Sequence, residues 1–172
     1  MKLFLAILII LHGTLCFAQT EEEAYFKHRL EEARQGDAGA QDDVGTLYAE
    51  GRGVKKDYRK AVYWLKRSAA QGDVLGACNL AIEYGRGRGI SKNVVLAMKW
   101  VFVSHSLDHL KCFPSDFVKE LKPSKAQLKK SRDLGITFLR AHPELKDEFG
   151  DRPWFNSDFV TQPNKRLERT RR

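Results

Sequence analysis

The sequence predicts an all-α fold, a solenoid of stacked helix-loop-helix repeats. Three observations carry that reading. Residues 33–66 align with residues 69–102 without a gap at a constant offset of 36, pairing Ala33/Ala69, Gly36/Gly72, Asp37/Asp73, Tyr48/Tyr84, Gly51/Gly87, Gly53/Gly89, Ala61/Ala97 and Trp64/Trp100. Self-similarity at a fixed period of roughly 20 to 50 residues marks a repeat array. Within each copy, apolar residues recur at helical spacing on either side of a pair of glycines, so that each copy reads as two helices joined by a tight turn.

Met1 to Ala18 reads as a secretory signal, with Lys2 as the basic start, Leu3 to Leu11 as the apolar run and Cys16-Phe17-Ala18 as a small-x-small cleavage site. The run is too short to span a bilayer. The mature chain is therefore expected to begin near Gln19, exported to the periplasm or secreted, with no transmembrane segment. Lipid attachment at Cys16 is the weaker reading, because Leu15 stands where a small residue is required. Glu21 to Gln35 then predicts a helix with acids at its positive N-terminal end. By the offset of 36 it takes the slot of a repeat's second helix, with Tyr25 at the position of Ala61, and serves as an N-terminal half-repeat. End layers of a solenoid need such a cap.

In the first copy Ala40, Val44, Leu47 and Tyr48 recur at i, i+4, i+7 and i+8, the spacing of one helix face. Gly51 and Gly53, and Gly85, Gly87 and Gly89 in the second copy, are expected to supply the left-handed backbone that ends such a helix. Val54 and Ile90 anchor the turn, and Asp57 and Asn93 N-cap the second helix. That helix carries Ala61, Trp64 and Leu65, matched by Ala97, Trp100 and Val101. Alanine admits the partner helix closely, and each indole is expected to fill the space between hairpins. Gly36-Asp37 and Gly72-Asp73 end one helix and start the next. Gly85 to Gly89 is read as a turn rather than a phosphate loop, since no Gly-Lys-Ser/Thr follows it.

The order Ala-x-x-Gly-Asp, Gly-x-Leu-Tyr-x-x-Gly-x-Gly-Val-x-x-Asp and Lys-Ala-Val-x-Trp-Leu from Ala33 onward resembles the Sel-one-like repeat, a relative of the tetratricopeptide repeat. Copy two departs from it with Ala81, Glu83 and Asn93 in place of Gly45, Leu47 and Asp57. The resemblance implies a right-handed, tetratricopeptide-like superhelix that acts as an adaptor, often exported in bacteria.

After Trp100 the repeat decays. Ser106 to Leu121 is expected to be at most a degenerate first helix, interrupted at Phe113-Pro114. Ser124 with Gln127 forms a capping-box pattern, and Leu128, Leu134, Phe138 and Leu139 place an apolar stripe on a closing helix running to about Ala141. The domain plan is a signal at 1–18, a repeat domain at 19–142 with full repeats at about 33–68 and 69–104, and an irregular aromatic and basic tail at 143–172.

The formal net charge of +8 falls to +7 on loss of Lys2, and five of the last eight residues are basic. This tail is expected to be a solvated segment, with weak attraction to anionic surfaces as the second reading. Export argues against nucleic acid as a partner. Cys78 and Cys112 remain after cleavage, an even pair that either stays as two unpaired thiols or closes a disulfide between layers.

Chemistry is sparse. His105, His109 and Cys112 could share a helix face, but the set lacks a fourth metal ligand and the glutamate of a zinc protease helix, so neither metal nor cofactor is expected. The expected function is a non-catalytic scaffold of the cell envelope, binding a protein or peptide on the concave side. The first helices of the repeats offer Asp42, Thr46 and Glu50 in copy one, and Cys78, Ile82 and Arg86 in copy two, as contact residues. The alternative, carried by resemblance to exported cysteine-rich relatives, is a small hydrolase or ligand-binding protein acting on beta-lactam or peptidoglycan-like compounds. A cavity holding His105, His109 and Cys112 would favour it.

Overall fold

The computed structural model describes residues 21–107 and 115–145, and within them every regular element is a helix. Residues 21–35 form α1. It is followed by α2 (Ala38–Glu50), α3 (Tyr58–Ala70), α4 (Val74–Arg86), α5 (Val94–Leu107), α6 (Ser115–Leu121), α7 (Lys125–Ala141) and a 3₁₀ turn at Pro143–Leu145. The chain folds as an α-solenoid: α2 packs on α3 and α4 on α5 as hairpins, α3 lies against α4, and α7 closes on α5.

The sequence repeat is a backbone repeat. Gly51 N–H donates to the Leu47 carbonyl at 2.8 Å, and Gly87 N–H to the Glu83 carbonyl at 2.8 Å. Asp57 N–H reaches the Tyr48 carbonyl at 2.9 Å, as Asn93 N–H reaches that of Tyr84 at 2.9 Å. Asp37 and Asp73 cap α2 and α4, each accepting from a backbone N–H at 2.6 Å. Asp57 accepts from the N–H groups of Arg59 and Lys60, and Asn93 from that of Leu96, so the expected caps are all in place.

One turn contact fixes the stacking. Gly53 and Gly89 sit at φ +62° and +67°, and a Cβ on either would lie 2.1 Å from a carbonyl oxygen, that of Glu22 for the first and of Tyr58 for the second. Glu22 and Tyr58 are themselves 36 residues apart. The turn of each hairpin is therefore pressed onto the start of the preceding second helix, and α1 stands in that slot as the offset implies.

The slot is the same but the surface differs. Ala61, Leu65 and Ser68 on α3 are fully buried, whereas α1 places Tyr25, Arg29 and Glu32 at those positions. Tyr25 remains 49% exposed rather than buried like Ala61. Arg29 Nε donates to Asp43 Oδ2 at 2.7 Å and Nη1 to Glu32 Oε2 at 2.5 Å. A polar ion-paired row replaces the apolar one, which is how a terminal layer ends an array without exposing its core.

Two core clusters follow the layers. Phe26, Ala33, Ala40, Val44, Leu47, Tyr48 and Ala61 form the first. The second runs from Val62 and Leu65 through Leu80, Tyr84, Trp100 and Val103 to Phe117 and Leu139. Trp100 is 8% exposed beneath Phe138, with ring centroids 5.1 Å apart. Trp64 is only partly buried, so the two indoles do not fill equivalent space.

Gly85 is not part of the turn but the penultimate residue of α4, where Phe117 and Leu121 of α6 lie on it, and Gly135 of α7 admits Phe102 of α5. The Ser124/Gln127 capping box is formed in both directions. On α7 Leu139 is buried and Leu128 and Phe138 pack on the core, but Leu134 faces solvent. Ser106 and Leu107 belong to α5 rather than to a third first helix. Leu145 then rests on the Gly72 turn, tying the closing segment back to the α3–α4 junction.

Candidate functional site

The first helices α2 and α4 pack side by side, while α3 and α5 hardly touch one another. The first two layers therefore bend toward α2 and α4. On these helices Gly39, Asp43, Thr46 and Glu50 are accessible, and so, 36 residues on, are Leu75, Asn79, Ile82 and Arg86. These four matched pairs define one face; the correspondence ends at Ala49, which is partly accessible where Gly85 is buried.

The six residues expected to make contacts are divided by burial. Thr46 and Ile82 are partly accessible and Glu50 and Arg86 are exposed. Asp42, at 6% exposure, and Cys78, at 2%, lie inside. The difference is one of helical register. Steps of four residues advance the direction by about 40° each, so 42, 46 and 50 drift around the helix, whereas 43, 46 and 50 hold one line. Asp43, Asn79 and the 60% exposed Leu75 were thus missed. An alternation of three- and four-residue steps in the sequence was the signal that could have found them.

The buried carboxylate is held by the second layer. Asn79 Nδ2 donates to Asp42 Oδ1 at 2.8 Å and approaches Thr46 Oγ1 at 3.4 Å. Burial pushes the Asp42 carboxyl up to about 6; the Asn79 hydrogen bond opposes this, and the nearby Asp73 and Asp43 charges add to it. Gln41, also buried, donates to the Ala33 carbonyl at 3.0 Å and accepts from Gln71 at 2.8 Å. A chain of amides and one carboxylate therefore joins the layers below the accessible face.

Asp43 is committed to α1, accepting from Arg29 at 2.7 Å and from the Tyr25 hydroxyl at 3.3 Å. Among the described residues Glu50 meets the exposed Arg52, at 3.4 Å. In the second copy Glu83, buried where copy one has Leu47, is gripped by Arg88, whose Nε donates to Oε2 at 3.0 Å. Arg88 in turn covers the Tyr58 ring, 4.9 Å from its centroid. Cys78 is disulfide-bonded. Cys112, the partner that the sequence suggests, lies outside the described residues, as does His109, and His105 lies partly buried on α5. Among the described residues no group of three His, Cys, Asp or Glu side chains could hold a metal ion.

The Sel1 repeat profile matches residues 38–73 and 74–101, each match beginning at the first residue of a first helix. The chain carries two Sel1 repeats. Its fold is shared with a protective antigen present in uropathogenic Escherichia coli strains displaying an SLR fold, at 22% identity and TM-score 0.67 over 77% of this chain and 29% of that one. A Sel1 repeat protein from Oxalobacter formigenes aligns at 26% identity and TM-score 0.52, over 78% of this chain and 57% of that one. The chain thus spans less than two thirds of either relative's length. No curated protein matches it. Sel1 repeats generally serve as scaffolds for protein–protein interaction, and the SLR fold is typically non-catalytic. No helix among the described residues is long and apolar enough to cross a membrane.

Proposed function

We propose that this Sel1-repeat protein is a non-catalytic scaffold of the cell envelope that holds a protein or peptide against the shared face of α2 and α4. The observation that carries the reading is the duplicated accessible stripe. Two adjacent helices present matched positions on the inner side of the bend, with Leu75 and Ile82 for apolar contact and Thr46, Glu50 and Arg86 for polar contact. Apolar anchors flanked by polar groups are the usual composition of a recognition surface. The amide and carboxylate links beneath hold α2 and α4 in fixed register, so the face is preorganised and little ordering entropy is lost on binding. Export to the envelope rests on the signal-like residues 1–18.

The test is a pull-down from the envelope fraction of the native cell, comparing the wild type with a variant carrying Thr46→Ala, Leu75→Ala, Ile82→Ala and Arg86→Ala. A discrete protein retained by the wild type and lost by the variant, with both showing the same helical circular dichroism, is the expected result. Equal retention by both would move the binding face elsewhere.

A further inference from the structure

We propose that the outward face of α3 is a docking surface for an anionic phospholipid bilayer. It is distinct from the α2–α4 face and lies on the outer side of the bend, because α2 and α4 pack together while α3 and α5 hardly meet. Arg59, Lys60, Tyr63, Lys66 and Arg67 fall at i, i+1, i+4, i+7 and i+8, within one third of the helix circumference, and all five are exposed.

Charge is segregated across this hairpin. Helix α3 carries four basic residues and no acid, whereas α2 carries Asp42, Asp43 and Glu50 and no base. Elsewhere Arg29, Arg52 and Arg88 pair with Asp43, Glu22 and Glu83. None of Arg59, Lys60, Lys66 or Arg67 pairs with a carboxylate among the described residues. The nearest acid in sequence, Asp57, is spent on the backbone N–H groups of Arg59 and Lys60. Between the two cation pairs, which lie about 10 Å apart along the helix, stands the Tyr63 ring, 54% exposed. Arg67 is 5.8 Å from the Tyr63 and Trp64 ring centroids, so the guanidinium covers both rings while keeping its charge outward.

The shape selects among anionic partners. A basic cluster can also hold an acidic peptide, but a row along a single helix on the outer side of a bend encloses nothing, which suits an extended surface better than a peptide. A planar array of phosphates needs only an exposed row of cations. An amphipathic ring with a polar tip suits the headgroup level. Each Lys or Arg brought to an anionic leaflet contributes about fivefold in partition, so four acting together suffice for reversible docking.

The experiment is co-sedimentation of the full-length chain with vesicles of phosphatidylcholine alone or mixed with phosphatidylglycerol. The first variant carries Arg59→Gln, Lys60→Gln, Lys66→Gln and Arg67→Gln. The second removes the same charge from α7, with Lys125→Gln, Lys129→Gln, Lys130→Gln and Arg140→Gln, and the third lacks residues 165–172. Single-stranded RNA and polyglutamate are offered at matched charge, and thermal melts check that each variant is folded. The expected result is binding to the anionic vesicles only, abolished by high salt, about six-hundredfold weaker for the α3 variant, and retained by the other two. No vesicle binding, an equal loss from the α7 or tail variant, or preference for RNA or polyglutamate would each overturn the proposal.

Discussion

The two hairpins share a backbone and differ in nearly everything laid on it. Turn and cap hydrogen bonds at equivalent positions agree to within 0.1 Å, yet Leu47 becomes Glu83, Asp42 becomes Cys78, and Tyr63 becomes Lys99. The conserved geometry is carried by glycines, caps and alanines, which decide how helices stop, start and approach. The divergent positions answer to neighbours. Lys99 stands 3.8 Å from the Trp100 ring centroid and 4.7 Å from that of Phe138, and burial holds its pKa below the ordinary value. Tyr63, with only Trp64 and Arg67 of its own helix beside it, stays 54% exposed.

The strongest way to break the correspondence is at the shared turn. Gly53→Ala and Gly89→Ala each drive a methyl into the carbonyl of the preceding second helix, at a residue whose φ is already left-handed. Both are expected to cost more than about 4 kcal/mol, read as loss of the cooperative thermal transition. A mild effect from either would mean that the turn does not set the stacking.

Next comes the indole pair. Trp100→Ala removes a side chain sealed under Phe138 and is expected to cost about 4 kcal/mol, whereas Trp64→Ala, at a partly open site, is expected to cost about half that. Urea denaturation of the two variants measures the difference, and equal losses would contradict the unequal cover.

The buried ion pair gives a sharper comparison. Arg88→Ala strands the Glu83 carboxylate and is expected to cost about 3 kcal/mol. Adding Glu83→Leu restores the residue type that copy one uses at Leu47, and the double variant is expected to return to within about 1 kcal/mol of wild type. Failure of that rescue would show that the two copies cannot exchange cores at this position.

The smallest effect is pH-dependent. The Asp42 carboxyl is raised from its ordinary 3.8 to about 6, so the folded state holds its proton more tightly than the unfolded chain. Its unfavourable contribution is absent below about pH 4, grows as pH rises, and is complete above about pH 6. Asp42→Asn is therefore expected to stabilise the protein by about 1 to 2 kcal/mol at pH 7.5 and by little at pH 4. Chemical denaturation at the two pH values checks this; a variant less stable at pH 7.5 would contradict it.

Hairpin boundaries, caps, turn glycines and the half-repeat at residues 21–35 were legible because each rests on local chemistry repeated at one offset. The capping box at Ser124 and Gln127 was legible for the same reason. Burial was less so, since it depends on which helix lies opposite. The indoles look equivalent in sequence but only Trp100 has Phe138 above it. Leu134 fits the stripe of α7 yet faces solvent. On the candidate face, Thr46, Glu50, Ile82 and Arg86 were placed on accessible positions of their helices, while Asp42 and Cys78 point inside because a strict four-residue step outruns the helix. The Asp42–Asn79 link spans 37 residues, and no local pattern announces it.

The central claim is that partners meet the protein on α2 and α4. It is tested most directly by placing a photo-crosslinking amino acid at position 82 on α4 and, as a control, at position 133 on the exposed side of α7, in chains produced in the native cell. The account predicts a discrete crosslinked protein from position 82 and none from position 133. A product from 133 alone, or the same product from both, would contradict it.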